Sequence, residues 1–400
     1  MVYANASSKL PWIATICAFF LCWSVWFREV LYRTTFSEYV VRPDVCRTDR
    51  ENPFPPHEHA ENETIQGENI TATTVKEPSN ERPLILYAFS ESPEARINIQ
   101  YFIDHGLHDA ADFIFILNGE TDIHKNIPQK DNIKHIHRPN DCFDLGGYAE
   151  VLTKTDLYKN YRKFIMLNAS LRGPFLPSWS QSCWSSLYLS RITDTTKLIG
   201  MTANCEPEFH IQSMIWATDS KGIETLLFPS KDVLAKLPPQ PMHAIKGPFN
   251  ASEKYTPGIN NCFRSFNGAI NAEIGVTALM RTAGYGVEAI MSAFHGVGNG
   301  KDEEVFEKER GDHRHHHKDF GEDSYEKQDK SSDLMSEYER FCGSTGTGDV
   351  LYDGGYFGIN VHPFETIFMK TNRNIGPVAL EKLTDWMEGS RFSSYDYCKL

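Results

Sequence analysis

The 400-residue sequence has no Cys-x-x-Cys pair, no clustered basic stretch and only one long uncharged apolar run. Without a Cys-x-x-Cys, zinc-ribbon and thioredoxin-type chemistry have nothing to build on. The net charge of −13 and the lack of a basic stripe exclude a nucleic-acid partner, which needs clustered cations to displace counterions from phosphate. No internal repeat of solenoid period is present. What remains, 40% apolar and 12% aromatic residues, is ample for a large folded core. Of nine cysteines, Cys17 and Cys22 fall inside the apolar run. The other seven, Cys46, Cys142, Cys183, Cys205, Cys262, Cys342 and Cys398, suffice for up to three disulfides and one spare thiol in an oxidising compartment. Their spacing does not assign the pairs.

The apolar run is Leu10–Phe27, LPWIATICAFFLCWSVWF, uncharged over about the length that crosses a bilayer. Trp12, Trp23 and Trp26 lie toward its ends, where indole rings favour the headgroup layer. A cleaved signal peptide is the rival reading, but no small-x-small site follows and the run closes on Trp26-Phe27-Arg28. The expectation is an uncleaved signal anchor over 10–27 after a cytosolic tail of residues 1–9. Lys9 against Arg28 and Arg33 leaves orientation undecided. The sequons at Asn62 and Asn69 favour a lumenal stem over 28–82, in a single-pass type II protein of the Golgi or endoplasmic reticulum membrane. Asn250 also begins a sequon that could carry a glycan. From about Arg47 to Arg82 the chain is rich in Pro, Glu, Asn and Thr and too poor in apolar residues to fold alone.

Folding signals begin at Pro83. Strands are expected at Pro83–Phe89, Asp112–Leu117, Asn132–His137 and Lys163–Leu167, with helices near Ser92–His105 and Gly147–Tyr158 between them. That alternation implies an α/β domain over 83–400 with a mainly parallel sheet flanked by helices, binding its ligand at the carboxyl edge. Further strands are expected at Lys197–Met201 and His210–Ala217, and helices at Ser220–Leu227 and Ala272–Ala283. Residues 298–337 are strongly charged and read as a disordered insertion, including Asp312-His313-Arg314-His315-His316-His317, a solvated tract rather than a metal site.

Asn140-Asp141-Cys142-Phe143-Asp144-Leu145-Gly146-Gly147 joins a strand to a helix, so Asp144 falls at the ligand-bearing edge, either capping the helix or accepting from a base, ribose or sugar hydroxyl. The strand ending at Leu167 delivers Asn168-Ala169-Ser170-Leu171-Arg172 to the same edge. Asn168 and Ser170 offer neutral ligands there, and Arg172 offers a positive charge. On His210–Ala217, alternation sends His210 and Gln212 to one face as sugar or acceptor contacts. His362, Glu365, Lys370 and Arg373 form a late polar cluster: Lys370 or Arg373 suits a diphosphate, His362 and Glu365 an acceptor. His295 is a weak metal or phosphate candidate against the more common structural histidine.

Asn140–Gly147, Phe164–Pro174, Gly200-Met201-Thr202, His210–Met214 and His362–Lys370, in this order and spacing, resemble the rhamnan synthesis protein F family and related fungal glycosyltransferase-like proteins. The resemblance spans Pro83 to about Asn374. It implies a GT-A-like (Rossmann-like) transferase that moves a sugar, such as rhamnose or another hexose, from a nucleotide-sugar donor to a glycan or lipid-linked acceptor. Many such enzymes hold a divalent cation with Asp-x-Asp where Asn168-Ala169-Ser170 stands, so the sequence leaves a metal without its usual ligands. Ala272-Glu273 followed by Ala283-Gly284-Tyr285 resembles the segment that carries the general base of inverting GT-A enzymes, and implies that role for Glu273. Read as residues alone, Glu273 is equally a helix-start acid meeting the macrodipole. Two other readings stand beside the transferase: an inactive sugar-binding or scaffold protein of the same fold, and a hydrolase using Asp144 and Glu273.

Overall fold

The computed structural model describes residues 81–246, 254–295, 338, 339, 342 and 348–399. The anchor, nearly all of the stem, the sequons at Asn62, Asn69 and Asn250, Cys46 and the insertion at 298–337 lie outside the described residues. Among the described residues no helix is long and apolar enough to cross a membrane.

The chain builds strands β1 (Leu84–Ser90), β2 (Asp112–Asn118), β3 (Ile133–Arg138), β4 (Lys163–Asn168), β5 (Leu171–Arg172), β6 (Thr196–Gly200), β7 (Ala203–Asn204), β8 (His210–Ile211), β9 (Ile215–Asp219), β10 (Gly286–Ala289) and β11 (Met369–Lys370). Its helices are α1 (Pro93–His105), α2 (Phe143–Lys154), α3 (Trp184–Leu189), α4 (Ser220–Leu227), α5 (Lys231–Lys236), α6 (Phe266–Thr282), α7 (Pro363–Thr366) and α8 (Pro377–Ser390). Seven strands form one sheet in the order β10-β6-β9-β4-β1-β2-β3. Pairs β1/β2, β2/β3, β1/β4 and β6/β10 are parallel, whereas β9 runs antiparallel to both β4 and β6. The protein is therefore mixed α/β with a mostly parallel central sheet.

Strand β1 shows why. Its residues Leu84 to Phe89 are buried on both faces, as a strand sandwiched between helix layers must be. It pairs in register with β2 from Leu84↔Asp112 to Ser90↔Asn118, which brings the carboxyl ends of neighbouring strands level. Helix α1 starts where Ser92 Oγ accepts from Ala95 N at 3.1 Å and Pro93 occupies the first turn. Its buried face packs Phe102 against Tyr87 and Trp184, ring centroids 4.8 and 5.7 Å apart.

Three boundaries differ from the sequence expectation. The helix expected at Gly147–Tyr158 occupies Phe143–Lys154, one turn earlier, because the disulfide Cys142–Cys262 and the fit of Gly146 against the Asn261 carbonyl hold its start. A Cβ at Gly146 would stand 2.6 Å from that oxygen, so no larger residue fits without displacement. The strand expected over His210–Ala217 breaks at Gln212–Met214 into β8 and β9. Helix α6 begins at Phe266, capped by Ser265 Oγ on Gly268 N at 2.9 Å, so Glu273 lies in mid-helix and the helix-start reading fails. Six of the seven cysteines pair: Cys142–Cys262, Cys183–Cys398 and Cys205–Cys342, with Cα separations of 4.2, 4.6 and 5.3 Å.

Candidate active site

A cleft of about 540 Å³ opens at the carboxyl ends of β1 to β4. Ser90, Asn118, Asn140 and Asn168 mark those ends on its floor. One wall is the start of α2 with Phe143 and Asp144, another the Gln212–Met214 break and α6 from Phe266 to Glu273. The segment Lys370–Arg373 closes the third.

The break between β8 and β9 lines the cleft with Gln212, Ser213 and Met214. Here Ser213 Oγ donates a short hydrogen bond to Glu273 Oε2, and His210 Nε2 stands 3.4 Å from Glu273 Oε1. Burial pushes the Glu273 carboxyl up, but His210, Ser213 and the Lys370 charge outweigh it and leave the group below its ordinary range. Asp144 goes the other way. Its burial dominates, the neighbouring Glu273 charge adds to it, and hydrogen bonds from Asn168 and the backbone only partly compensate, so its pKa is raised. Asn168 Nδ2 donates to Asp144 Oδ2 at 2.6 Å and Leu145 N donates to Oδ1 at 2.9 Å. Asn168 Oδ1 in turn accepts from Ser170 N at 3.1 Å and Ser170 Oγ at 2.6 Å.

Lys370 projects among Glu273, Asp349 and Asp144, and burial, reinforced by the Arg373 charge, lowers its pKa despite those acids. Arg373 donates to Asp349 and lies over the Tyr352 ring at 4.7 Å. Gln212 is held by Thr202 Oγ1 at 2.7 Å and donates to Asp349 Oδ1 at 3.1 Å.

Of the sequence-derived candidates, the cleft gathers Glu273, Asp144, Asn168, Ser170, Gln212, Lys370 and Arg373, with His210 directly behind Glu273. Four others lie elsewhere. Arg172 is buried away from the cleft lining, donating to Asn98 Oδ1 at 3.0 Å and Thr384 Oγ1 at 3.3 Å: it fastens α1 and α8 to the strand end instead of meeting a donor. His362 caps α7 by accepting from Phe364 N at 3.1 Å. Glu365 accepts from Tyr356 Oη at 2.7 Å, and His362 and Glu365 line a separate cavity of about 1250 Å³ beside Trp179 and Trp386. His295 Nε2 sits 3.5 Å from Glu288 and 3.4 Å from Arg191 Nη1, a neighbour that repels a cation.

Sequence reasoning did not assign Asp349, Asn118 or Arg138. Arg138 is almost fully buried and binds Asn118 Oδ1 at 2.6 Å, Asp141 Oδ1 at 2.8 Å and Glu150 Oε2 at 2.7 Å, bracing the turn that presents Asp144. No local pattern marks it, since its partners lie on three elements. Among the described residues, the two groups spaced to hold a metal, His108 with Cys183 and Cys398 and Asp141 with Cys142 and Cys262, both spend their sulfurs in disulfides.

Fold and site together define a mixed α/β protein with a cleft at the sheet's carboxyl edge in which the acids Asp144 and Glu273 share the lining with Lys370 and Arg373. No family model and no curated protein matches the chain. Among solved structures it is similar to the apo-form glycosyltransferase GlyE of Streptococcus pneumoniae TIGR4, over 57% of this chain and 51% of that one, at 8% identity and a TM-score of 0.32. The chain thus spans about half the length of GlyE. A second GlyE structure is similar over 39% of each chain at 8% identity and a TM-score of 0.27. The similarity to 4-diphosphocytidyl-2C-methyl-D-erythritol synthase covers 52% of this chain and 89% of that one, at 8% identity and a TM-score of 0.28. Likenesses this distant assign no chemistry, which has to be read from the cleft.

Proposed function

We propose that the protein is a glycosyltransferase that moves a sugar from a nucleoside-diphosphate donor to a hydroxyl of a glycan or lipid-linked acceptor, with inversion and with Glu273 as general base. The observation that carries this reading is a carboxylate, Glu273, kept below its ordinary pKa in the same cleft as Lys370 and Arg373. The acceptor hydroxyl gives its proton to Glu273 while its oxygen forms the new bond to the anomeric carbon. The bond from that carbon to the diphosphate breaks, and its electron pair leaves on the phosphate oxygen. Lys370 and Arg373 meet the charge that develops there.

The strand-end residues do not fit a carboxylate-held cation. Asn168 and Ser170 are neutral where a second carboxylate would be needed beside Asp144, and Asn168 Nδ2 is turned toward that acid as a donor. The two side-chain cations supply the positive charge in this reading. The resemblance to rhamnan synthesis proteins makes a deoxyhexose donor such as rhamnose the first to test. The apolar run Leu10–Phe27, read as an anchor, and the sequons at Asn62 and Asn69 support a reaction in the secretory lumen.

A panel of nucleotide sugars screened by thermal shift identifies the donor, since a specific ligand raises apparent stability by mass action. With that donor, Glu273→Gln is expected to lower transfer by a hundredfold or more, on the order of a general-base contribution, while the donor still binds. Full transfer by Glu273→Gln overturns the mechanism, and no binding by any nucleotide sugar overturns the activity.

A further inference from the structure

We propose that His210 is a positioning residue that holds a proton against Glu273 and thereby keeps that carboxylate ionised and aimed into the cleft. His210 is 2% exposed, so water does not complete its hydrogen bonding. Its Nδ1 lies 2.7 Å from the Glu208 backbone oxygen. A carbonyl only accepts, so Nδ1 carries a hydrogen. The other nitrogen, Nε2, then faces Glu273 Oε1 at 3.4 Å, an ion-pair separation. Were Nε2 unprotonated, its lone pair would confront the lone pairs of a carboxylate in a site sheltered from solvent. One proton between the two groups removes that repulsion, and where it rests on Nε2, with Nδ1 already protonated, the ring is an imidazolium.

The surroundings decide on which side the proton rests. Ser213 Oγ donates to Glu273 Oε2, and the Lys370 ammonium from β11 also favours the ionised carboxylate. Asp144 from α2 is the opposing charge facing Glu273, while Asp349 engages Arg373 and Gln212 further along the wall. The Glu208 carboxylate is engaged by His243 Nε2 at 3.2 Å, so only its backbone oxygen meets the His210 ring. With Ser213 on one oxygen and His210 on the other, the carboxylate plane is fixed, and each oxygen keeps a second lone pair for an incoming hydroxyl.

The charge state of His210 needs no knowledge of the substrate to test, whereas its kinetic consequence rests on the role proposed for Glu273. In full-length protein labelled with 15N-histidine, the His210 signal, assigned by its loss in His210→Asn, is expected to show both ring nitrogens protonated at pH 7. In Glu273→Gln it is expected to revert to the neutral form with hydrogen on Nδ1. A neutral ring in the wild-type protein at pH 7 overturns the proposal. For kinetics, His210→Gln keeps a donor toward Glu273 without charge, and His210→Asn keeps only the Glu208 contact. Both are expected to move the acidic limb of the kcat/KM profile upward, His210→Asn by about one pH unit or more, because burial of Glu273 is then less opposed. Lower activity with an unmoved limb marks His210 as merely structural and also overturns it. If Glu273→Gln transfers sugar normally while the nitrogen signals behave as expected, the general-base role fails and the proton-holding pair stands.

Discussion

Asn168 donates its side-chain N–H to Asp144 across 2.6 Å, so an amide stands where a second acid would face the carboxylate of α2. Asp144 already has a raised pKa from burial and the Glu273 charge, and a third carboxylate would add repulsion. The amide spares Asp144 and Glu273 a further acid beside them.

Exchanging that amide for an acid tests the metal question. Asn168→Asp is expected to create a carboxylate pair with Asp144 that binds Mn2+ measurably by calorimetry, while the wild-type protein transfers sugar at an unchanged rate, within about twofold, after EDTA treatment. Loss of wild-type activity on chelation, restored by Mn2+, would show that a cation is recruited by other residues.

Lys370→Met removes a cation that pays a desolvation cost before any ligand arrives. Affinity for a nucleoside diphosphate is expected to fall tenfold or more, about the worth of one charge-assisted hydrogen bond, with the melting temperature unchanged or higher. Equal affinity in titration calorimetry would place the diphosphate elsewhere.

His108 gives the fold a pH dependence unconnected with catalysis. It is fully buried beside Trp184 and Phe113, its Nδ1 has no partner among the described residues, and burial lowers its pKa to about 4. A base depressed in the folded state contributes stability above its unfolded pKa of about 6.5, and that stability is lost as pH falls toward 4. The loss is on the order of 3 kcal/mol. Urea midpoints are expected to drop across this window in the wild-type protein and to flatten in a His108→Gln variant.

The bridge Cys142–Cys262 joins the turn before Asp144 to the segment before α6, across 120 residues. Replacing both cysteines with serine is expected to cost about 2–4 kcal/mol, read as a lower melting temperature. Nucleoside diphosphate affinity should fall further than stability accounts for, because Cys142 and Phe143 both sit at positive φ, 65° and 55°, at the cleft. Unchanged affinity in the double variant would mean that the turn holds its shape without the bridge.

How far the site could be read from sequence depended on distance along the chain. Asn168 directly follows a predicted strand and Asp144 heads the helix after another, and strand ends of a parallel sheet converge whatever the details of packing. Glu273 takes its role from family resemblance and Lys370 from a late polar cluster, since no local pattern ties a mid-helix acid to a lysine about a hundred residues later. Arg172 misled because it follows the same strand end: two residues beyond Ser170, in β5, the side chain points inward to Asn98. His362 and Glu365 misled for a related reason, being close to Lys370 in sequence but on the far side of β11, at another cavity.

By itself the sequence determined the alternation of buried strands and amphipathic helices, the parallel core, and an acid and an amide at its carboxyl edge. Those follow from periodicity and from strand-to-helix connections, which are local. Tertiary structure alone decided which cysteines pair, where β8 breaks to turn Ser213 toward Glu273, and that His210 stands behind that carboxylate. Each depends on contacts between segments far apart in the chain, where burial and charge, not local preference, set the geometry.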